Sequence, residues 1–175
     1  GDFALHAAAV EVDDKAILLA APGRFGKTTL ALAFHRRGYR LLTEDTACCG
    51  LAPEAVLLPG PTSVRPRPDM FDGEAPPGTT VVAVRKDRIH LALDSYRVGD
   101  GRPVPIRALV FLRESCGDIF LERLKSSTAI PDLWTLNFRL QNEAARGRSF
   151  SQLAQLATTV PVWDLHRPLQ AANLD

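Results

Sequence analysis

The sequence predicts an α/β fold, and three observations carry that prediction. Residues 16–45 spell an apolar run, a glycine-containing loop, a helical pattern, a second apolar run and an acidic pair. AILLAA at 16–21 and PIRALVFLRE at 105–114 are short, continuous apolar stretches, the pattern of strands buried on both faces. Toward the C-terminus, leucines recur at helical spacing over 128–147 and again over 149–160. At 175 residues the chain is expected to form one domain with a sizeable core.

The elements follow in order. FALHAAAVEV at 3–12 reads as one strand, and VDDK as a turn, because two acids and a lysine interrupt the apolar pattern. AILLAA is the next strand, with Pro22 and Gly23 just beyond it. TTLALAFHRRG places Leu30, Ala31 and Phe34 on one helical face, puts basic residues in the last turn, and stops at Gly38. YRLLTEDTACCGL continues as a strand running into an acidic turn. Residues 53–78 are dense in proline, which opposes helix and central strand, so a long irregular excursion is expected there. TTVVAVRKDRIHLALDSYRV reads as a hairpin turning at RKDR. PIRALVFLRE is a buried strand. A helix is expected over 128–147 with Leu133, Leu136 and Leu140 on one face. The final helix is expected to be capped by Ser149 or Ser151, and VPVWDLH to close as a strand. The opening residues are not expected to act as a signal peptide, since Asp2 and Glu11 interrupt the apolar run and no basic segment precedes it. The chain starts within a structured stretch, so a preceding segment is expected.

Composition excludes several classes. Lys+Arg 21 against Asp+Glu 20 gives a formal charge of +1, and mean hydropathy is −0.03. Neither nucleic acid nor a membrane is expected as a partner. No apolar run is long enough to cross a bilayer. Three cysteines, two of them adjacent at Cys48 and Cys49, point to a reduced compartment, hence the cytoplasm. They lack metal or redox spacing and are expected to be structural. Trp134 and Trp163 are expected as core anchors.

APGRFGKTTL at 21–30 carries the chemistry. It fits a relaxed Walker A pattern, with Ala21 first, then Pro22 to Phe25, then Gly26, Lys27 and Thr28. Such a loop aims backbone N–H groups at phosphates, which needs a residue such as Gly23 or Gly26 that tolerates unusual dihedrals. The helix that follows offers its positive end to the anion. Nucleotide binding is thus expected at Gly23, Arg24, Phe25, Gly26, Lys27, Thr28 and Thr29. The Lys27 ammonium would reach the β- and γ-phosphates, and the Thr28 hydroxyl would ligate Mg²⁺. Glu44 and Asp45 end the strand after the helix, where ligands bind in open α/β sheets. One can serve Mg²⁺ and the other can take a proton from an attacking hydroxyl; adjacent acids repel, which suits a base. Arg65 and Arg67 read either as an anion clamp or as solvated charges. Glu114 could end a Walker B strand. His6 reads as a satisfied sheet residue unless a further observation gives it work, and nothing in the sequence points to a role for His35 or His90.

Residues 5–45, a histidine-containing strand, short turn, apolar strand, Gly-Lys-Thr loop, helix ending in Arg-Gly, and Leu-Leu-Thr-Glu-Asp, resemble the catalytic core of the HPr kinase/phosphorylase family. LLPGPTSVRPRPDMF, PIRALVFL and VPVWDL extend the resemblance more weakly, toward short kinases of modified-peptide pathways. The resemblance implies a mixed sheet with flanking helices, similar to phosphoenolpyruvate carboxykinase. It implies an ATP- and Mg²⁺-dependent kinase acting on a serine-type hydroxyl of a peptide or protein. It assigns the general base to Glu44, the metal site to Asp45 and Thr28, phosphate contact to Lys27, and a place near the transferred phosphate to His6. Glu44 departs from the family's usual aspartate by one methylene, and Arg24 and Phe25 replace small loop residues. The family's second, glycine-rich signature is missing, which argues against HPr as substrate. A nucleotide-binding accessory module without transfer activity, and an ATPase acting through Glu114, are the alternatives. A homo-oligomer is compatible with the sequence.

Overall fold

The computed structural model describes residues 2–60, 63–68, 75–94, 101–138 and 141–169. The strands are β1 Phe3–Leu5, β2 Ala7–Val12, β3 Lys15–Ala20, β4 Arg40–Thr43, β5 Ala47–Gly50, β6 Val56–Leu57, β7 Ser63–Val64, β8 Thr79–Val84, β9 Ile89–Leu93, β10 Val104–Glu114, β11 Phe120–Leu124 and β12 Val162–Arg167. The helices are α1 Lys27–Arg36, α2 Ser126–Leu136 and α3 Glu143–Thr159.

Nine strands form one mixed sheet in the order β1-β5-β6-β10-β3-β2-β4, with β12 on β10 and β11 on β12. β7, β9 and β8 form a second, three-stranded sheet. The continuous apolar runs are explained by burial on both sides. Ala7, Ala9, Leu18, Ala20, Leu109 and Phe111 enter one cluster with residues of α2 and α3. Their alternate neighbours Ala8, Val10, Leu19, Val110 and Leu112 enter another, with Ala31 and Leu32 of α1 and with Val64, Leu91 and Leu93 of the small sheet. Successive side chains of a strand point to opposite faces, so each of these strands feeds both cores.

The β2–β3 turn holds Asp13 at φ 51° and Asp14 at φ 58°, the left-handed pair that a two-residue hairpin needs and that Asp tolerates. β2 is antiparallel to both β3 and β4. The start of β2 therefore lies at the same sheet edge as the ends of β3 and β4, and this topology assembles the site.

Several expectations change. The strand expected over 3–12 breaks at His6, because β1 pairs with β5 while β2 pairs with β3 and β4. The helix expected over 128–147 is two helices. Asn137 turns extended, and Phe138 N–H bonds to the Ala4 carbonyl at 3.0 Å, so the break supplies backbone partners to the β1 edge. Leu133 and Leu136 are buried as expected, and Leu140 lies outside the described residues. The last helix begins at Glu143 and is capped by Asn142, whose side chain accepts from Ala145 N–H; Ser149 and Ser151 lie inside it. The proline-dense stretch holds β6 between β5 and β10, with a proline on either side rather than within it. β11 has no counterpart in the sequence reading; its five residues are mostly exposed, without the burial pattern that marks a strand. The RKDR hairpin forms as expected, closed by Arg85 N–H to the Arg88 carbonyl at 2.8 Å.

Candidate functional site

The unusual backbone of the 21–28 loop falls at Gly26, φ 75°, and at Arg24, φ 70°, rather than at Gly23. Gly26 has a second reason to lack a side chain. A Cβ there would stand 2.5 Å from Nη2 of Arg167. That guanidinium comes from the end of β12, is buried, and donates from Nη2 to the Phe25 carbonyl at 2.8 Å. Burial pulls it below the ordinary arginine range. Arg167 thus braces the loop from behind. No local signal marks it, since 142 residues separate the partners. α1 starts at once after the loop, capped by Gly26 with no side-chain acceptor and no acid in its first turn. First-turn N–H groups have no acceptor within their own helix, so this end suits an anion.

Lys27 is 6% exposed. Its ammonium donates to the Ala21 carbonyl at 2.8 Å, to the Pro22 carbonyl at 3.1 Å and to His6 Nε2 at 2.8 Å. Burial lowers its pKa, opposed by Asp45 and Glu44. An ammonium has only donors, so Nε2 accepts and the imidazole proton sits on Nδ1, which faces Asp45 Oδ1 at 3.3 Å. Burial, and then the Lys27 charge, lower the His6 pKa against the pull of Asp45 and Glu44, which favours the neutral ring. Glu44 is buried. Its Oε1 accepts from the Thr28 hydroxyl at 2.8 Å, and its Oε2 accepts from Arg65 N–H at 3.0 Å. The Arg65 guanidinium stands 3.8 Å from Glu44 and 3.7 Å from Asp45. Asp45 is the open member of the pair, 43% exposed.

These groups face one cavity of about 470 Å³. His6, Gly23, Arg24, Gly26, Lys27, Thr28, Thr29, Glu44 and Asp45 all line it, as the sequence reading placed them together. Phe25 does not: its side chain packs on the apolar cluster under α1. Arg65 and Arg67 line it too, joined by His90 and by Arg85 and Arg88, to which the sequence assigned no role. Their only signal was the polar hairpin turn. Glu114 is exposed at the end of β10 and is not part of this lining. The oxygen donors of Thr28, Glu44 and Asp45 suit a hard cation such as Mg²⁺, which takes few protein ligands beside phosphate and water. Among the described residues no cluster of three His, Cys, Asp or Glu forms a metal cage.

Elsewhere the candidates are structural. Cys49 is buried, and burial pushes its thiol up to about 12. Trp134 is half-buried against Phe150, and Trp163 lies under Arg123. No helix among the described residues is long and apolar enough to cross a membrane.

The architecture has a solved counterpart. The structure of the Hpr(Ser) kinase/phosphatase from Coxiella burnetii matches with a TM-score of 0.50 at 11% identity, over 98% of this chain and 89% of that one. The chain has a kinase-like mixed α/β fold. At that identity the likeness concerns the fold alone. No protein-family model and no curated protein sequence matches the chain.

Proposed function

We propose that this protein is an ATP-dependent kinase that transfers the γ-phosphate to a hydroxyl, of serine type, on a peptide or protein other than HPr. One observation carries the reading: Lys27, Thr28, His6, Glu44 and Asp45 converge with the N-terminus of α1 on a single cavity. Phosphoryl transfer asks a protein mainly for positioning and charge stabilisation, and these groups supply both.

The loop N–H groups and Lys27 would hold the β- and γ-phosphates, and bound Mg²⁺ would supply charge neutralisation. Thr28 would be among the residues that hold the metal. The resemblance makes Glu44 the base and Asp45 the metal carboxylate. The hydrogen bonds favour the reverse assignment. Glu44 is buried against the Thr28 hydroxyl with both oxygens engaged, whereas Asp45 is open to an incoming hydroxyl and backed by the Nδ1–H of His6. In this assignment Asp45 accepts the hydroxyl proton, and His6 holds that carboxylate in place.

The test is phosphate transfer from Mg·ATP to a panel of serine- and threonine-containing peptides. Asp45→Asn is expected to abolish transfer while leaving Mg·ATP affinity within a few-fold. Glu44→Gln is expected to raise the Mg²⁺ concentration needed. The opposite pattern restores the assignment implied by the resemblance. Tight Mg·ATP binding with no labelled acceptor would instead favour the accessory module, a role in keeping with Arg65 lying across both carboxylates.

A further inference from the structure

Phosphoryl transfer accounts for one wall of the cavity, and the opposite wall is cationic. Arg65 and Arg67 follow β7, and Arg85 and Arg88 bracket the β8–β9 turn. With Arg24 and Lys27 they put six Lys/Arg side chains on the cavity against two carboxylates, an excess of four positive charges. The whole chain carries only +1, so the charge is concentrated here. Arg24, Arg67 and Arg88 also line an adjoining cavity of about 420 Å³, with Pro68 and Asp87. Asp87 is the single acid among the residues lining that second cavity.

The wall is fixed in place. Val64 and Leu91 are buried in the core under α1, and Ile89 N–H bonds to the Pro66 carbonyl at 2.9 Å, tying the Arg65–Arg67 segment to β9. Arg24, Arg67, Arg85 and Arg88 are exposed, and they reach the site from three separate stretches of chain. Like charges gathered in a concavity repel one another and focus a positive field into it. An anion relieves that repulsion. A nucleotide tail is already served by Lys27 and the start of α1, and its metal cancels part of its charge. Arg65 is engaged by Glu44 and Asp45. Arg67, Arg85 and Arg88 line the same cavity from stretches of chain other than the α1 loop and the two carboxylates.

We propose that Arg67, Arg85 and Arg88 form an acceptor subsite that selects a hydroxyl flanked by carboxylate or phosphate groups, an acidic serine- or threonine-containing peptide above all. Guanidinium forks match such anions two bonds at a time. The hydroxyl half of this statement rests on the kinase reading; the anion half does not.

The test is read by binding, so it stands whether or not transfer occurs. Fluorescent peptides with a central Ser flanked by Asp, Ala or Lys are titrated with the protein in the presence of Mg·ADP, by anisotropy. The Asp peptide is expected to bind at least about tenfold tighter than the Ala peptide. Arg85→Ala with Arg88→Ala should erase that preference and shift Mg·ATP affinity less than about threefold, a much smaller change than the lost preference. Both residues are exposed, so the fold is retained. Competition by inorganic phosphate and by acetate supports the subsite in either order, and the stronger competitor identifies the anion. Equal binding of the Asp and Ala peptides overturns the proposal, and so does a preference that survives the double substitution. A fall in nucleotide affinity as large as that in peptide affinity also overturns it, by assigning the arginines to the nucleotide. Absence of transfer to every peptide would count against the kinase reading alone.

Discussion

The two walls of the cavity are built on opposite terms. On the α1 side Lys27, Glu44, His6 and Asp45 are buried or half-buried and bonded to one another or to their neighbours. Lys27 has three partners, Glu44 joins Thr28 to Arg65, and His6 joins Lys27 to Asp45. On the small-sheet side Arg85 and Arg88 are exposed. A buried charge is costly unless paired, so the first wall must be organised before any ligand arrives. An exposed cation costs little and gains little until a partner desolvates it. The first wall therefore couples stability to function, and the second separates them.

The largest expected break in that contrast is Lys27→Met. Removing one preorganised donor to developing negative charge costs on the order of 100- to 1,000-fold in turnover. It also strips the donor from the Ala21 and Pro22 carbonyls, so thermal stability should fall with activity. Arg88→Ala on the opposite wall should leave the melting temperature unchanged. Melting scans and Mg·ATP titrations of the two variants decide this; equal melting temperatures would show that the walls do not differ in kind.

Gly26→Ala probes the back of the same wall. A left-handed φ costs a non-glycine residue about 1–2 kcal/mol, and the new methyl also displaces Arg167. Denaturant unfolding should show that loss. In a double-mutant cycle with Arg167→Ala, the two losses should fall short of additivity by at least about 0.5 kcal/mol, because one substitution removes the obstacle to the other. Strict additivity would mean that Arg167 does not brace the loop.

The unequal legibility of the two walls has the same origin. His6, the 21–28 loop, Glu44 and Asp45 lie within about 40 residues, carried by two adjacent turns of a sheet whose apolar runs are plain in the sequence. Their convergence follows once β2 is seen to run against both β3 and β4. Arg85, Arg88 and His90 lie on a hairpin whose polar turn looks like any other, and only the packing of the small sheet through Val64 and Leu91 brings them to the cavity. Arg167 was invisible because nothing local marks a strand end that will meet a loop so far away in sequence. The break at Asn137 was hidden for a related reason: the partner that pulls it out of helix, Ala4, is distant. Periodicity reports a residue's own element, and these features depend on someone else's.

A smaller effect separates loop strain from loop charge. Arg24 is a non-glycine residue at φ 70° and lines both cavities. Arg24→Gly relieves the strained backbone but adds freedom to the unfolded chain, so stability should rise by no more than about 1 kcal/mol. The same change removes a wall cation, so affinity for the acidic peptide should fall. Stability and anion affinity moving in opposite directions, by unfolding and by anisotropy, is the expected signature of a residue strained for the sake of its charge.

The smallest effect is a slope in pH. Burial and Lys27 hold the folded pKa of His6 below its ordinary value of 6.5. Above pH 6.5 the ring is neutral in both folded and unfolded chains, and its stabilising contribution is complete. As pH falls below 6.5 the unfolded chain takes up the proton first, so folding stability declines until the lowered folded pKa is passed. Protonation also ends the acceptor role of Nε2 toward Lys27, which ties the slope to the organised wall. His6→Gln keeps an acceptor for Lys27 and a donor for Asp45 but cannot titrate, so it should flatten this part of the profile in metal-free buffer. Arg88→Ala should leave the slope intact, since its guanidinium makes no bond to the Lys27–His6–Asp45 chain. Denaturant midpoints of the three proteins below pH 6.5 measure the difference directly, and a profile unchanged by His6→Gln would place the proton uptake elsewhere in the fold.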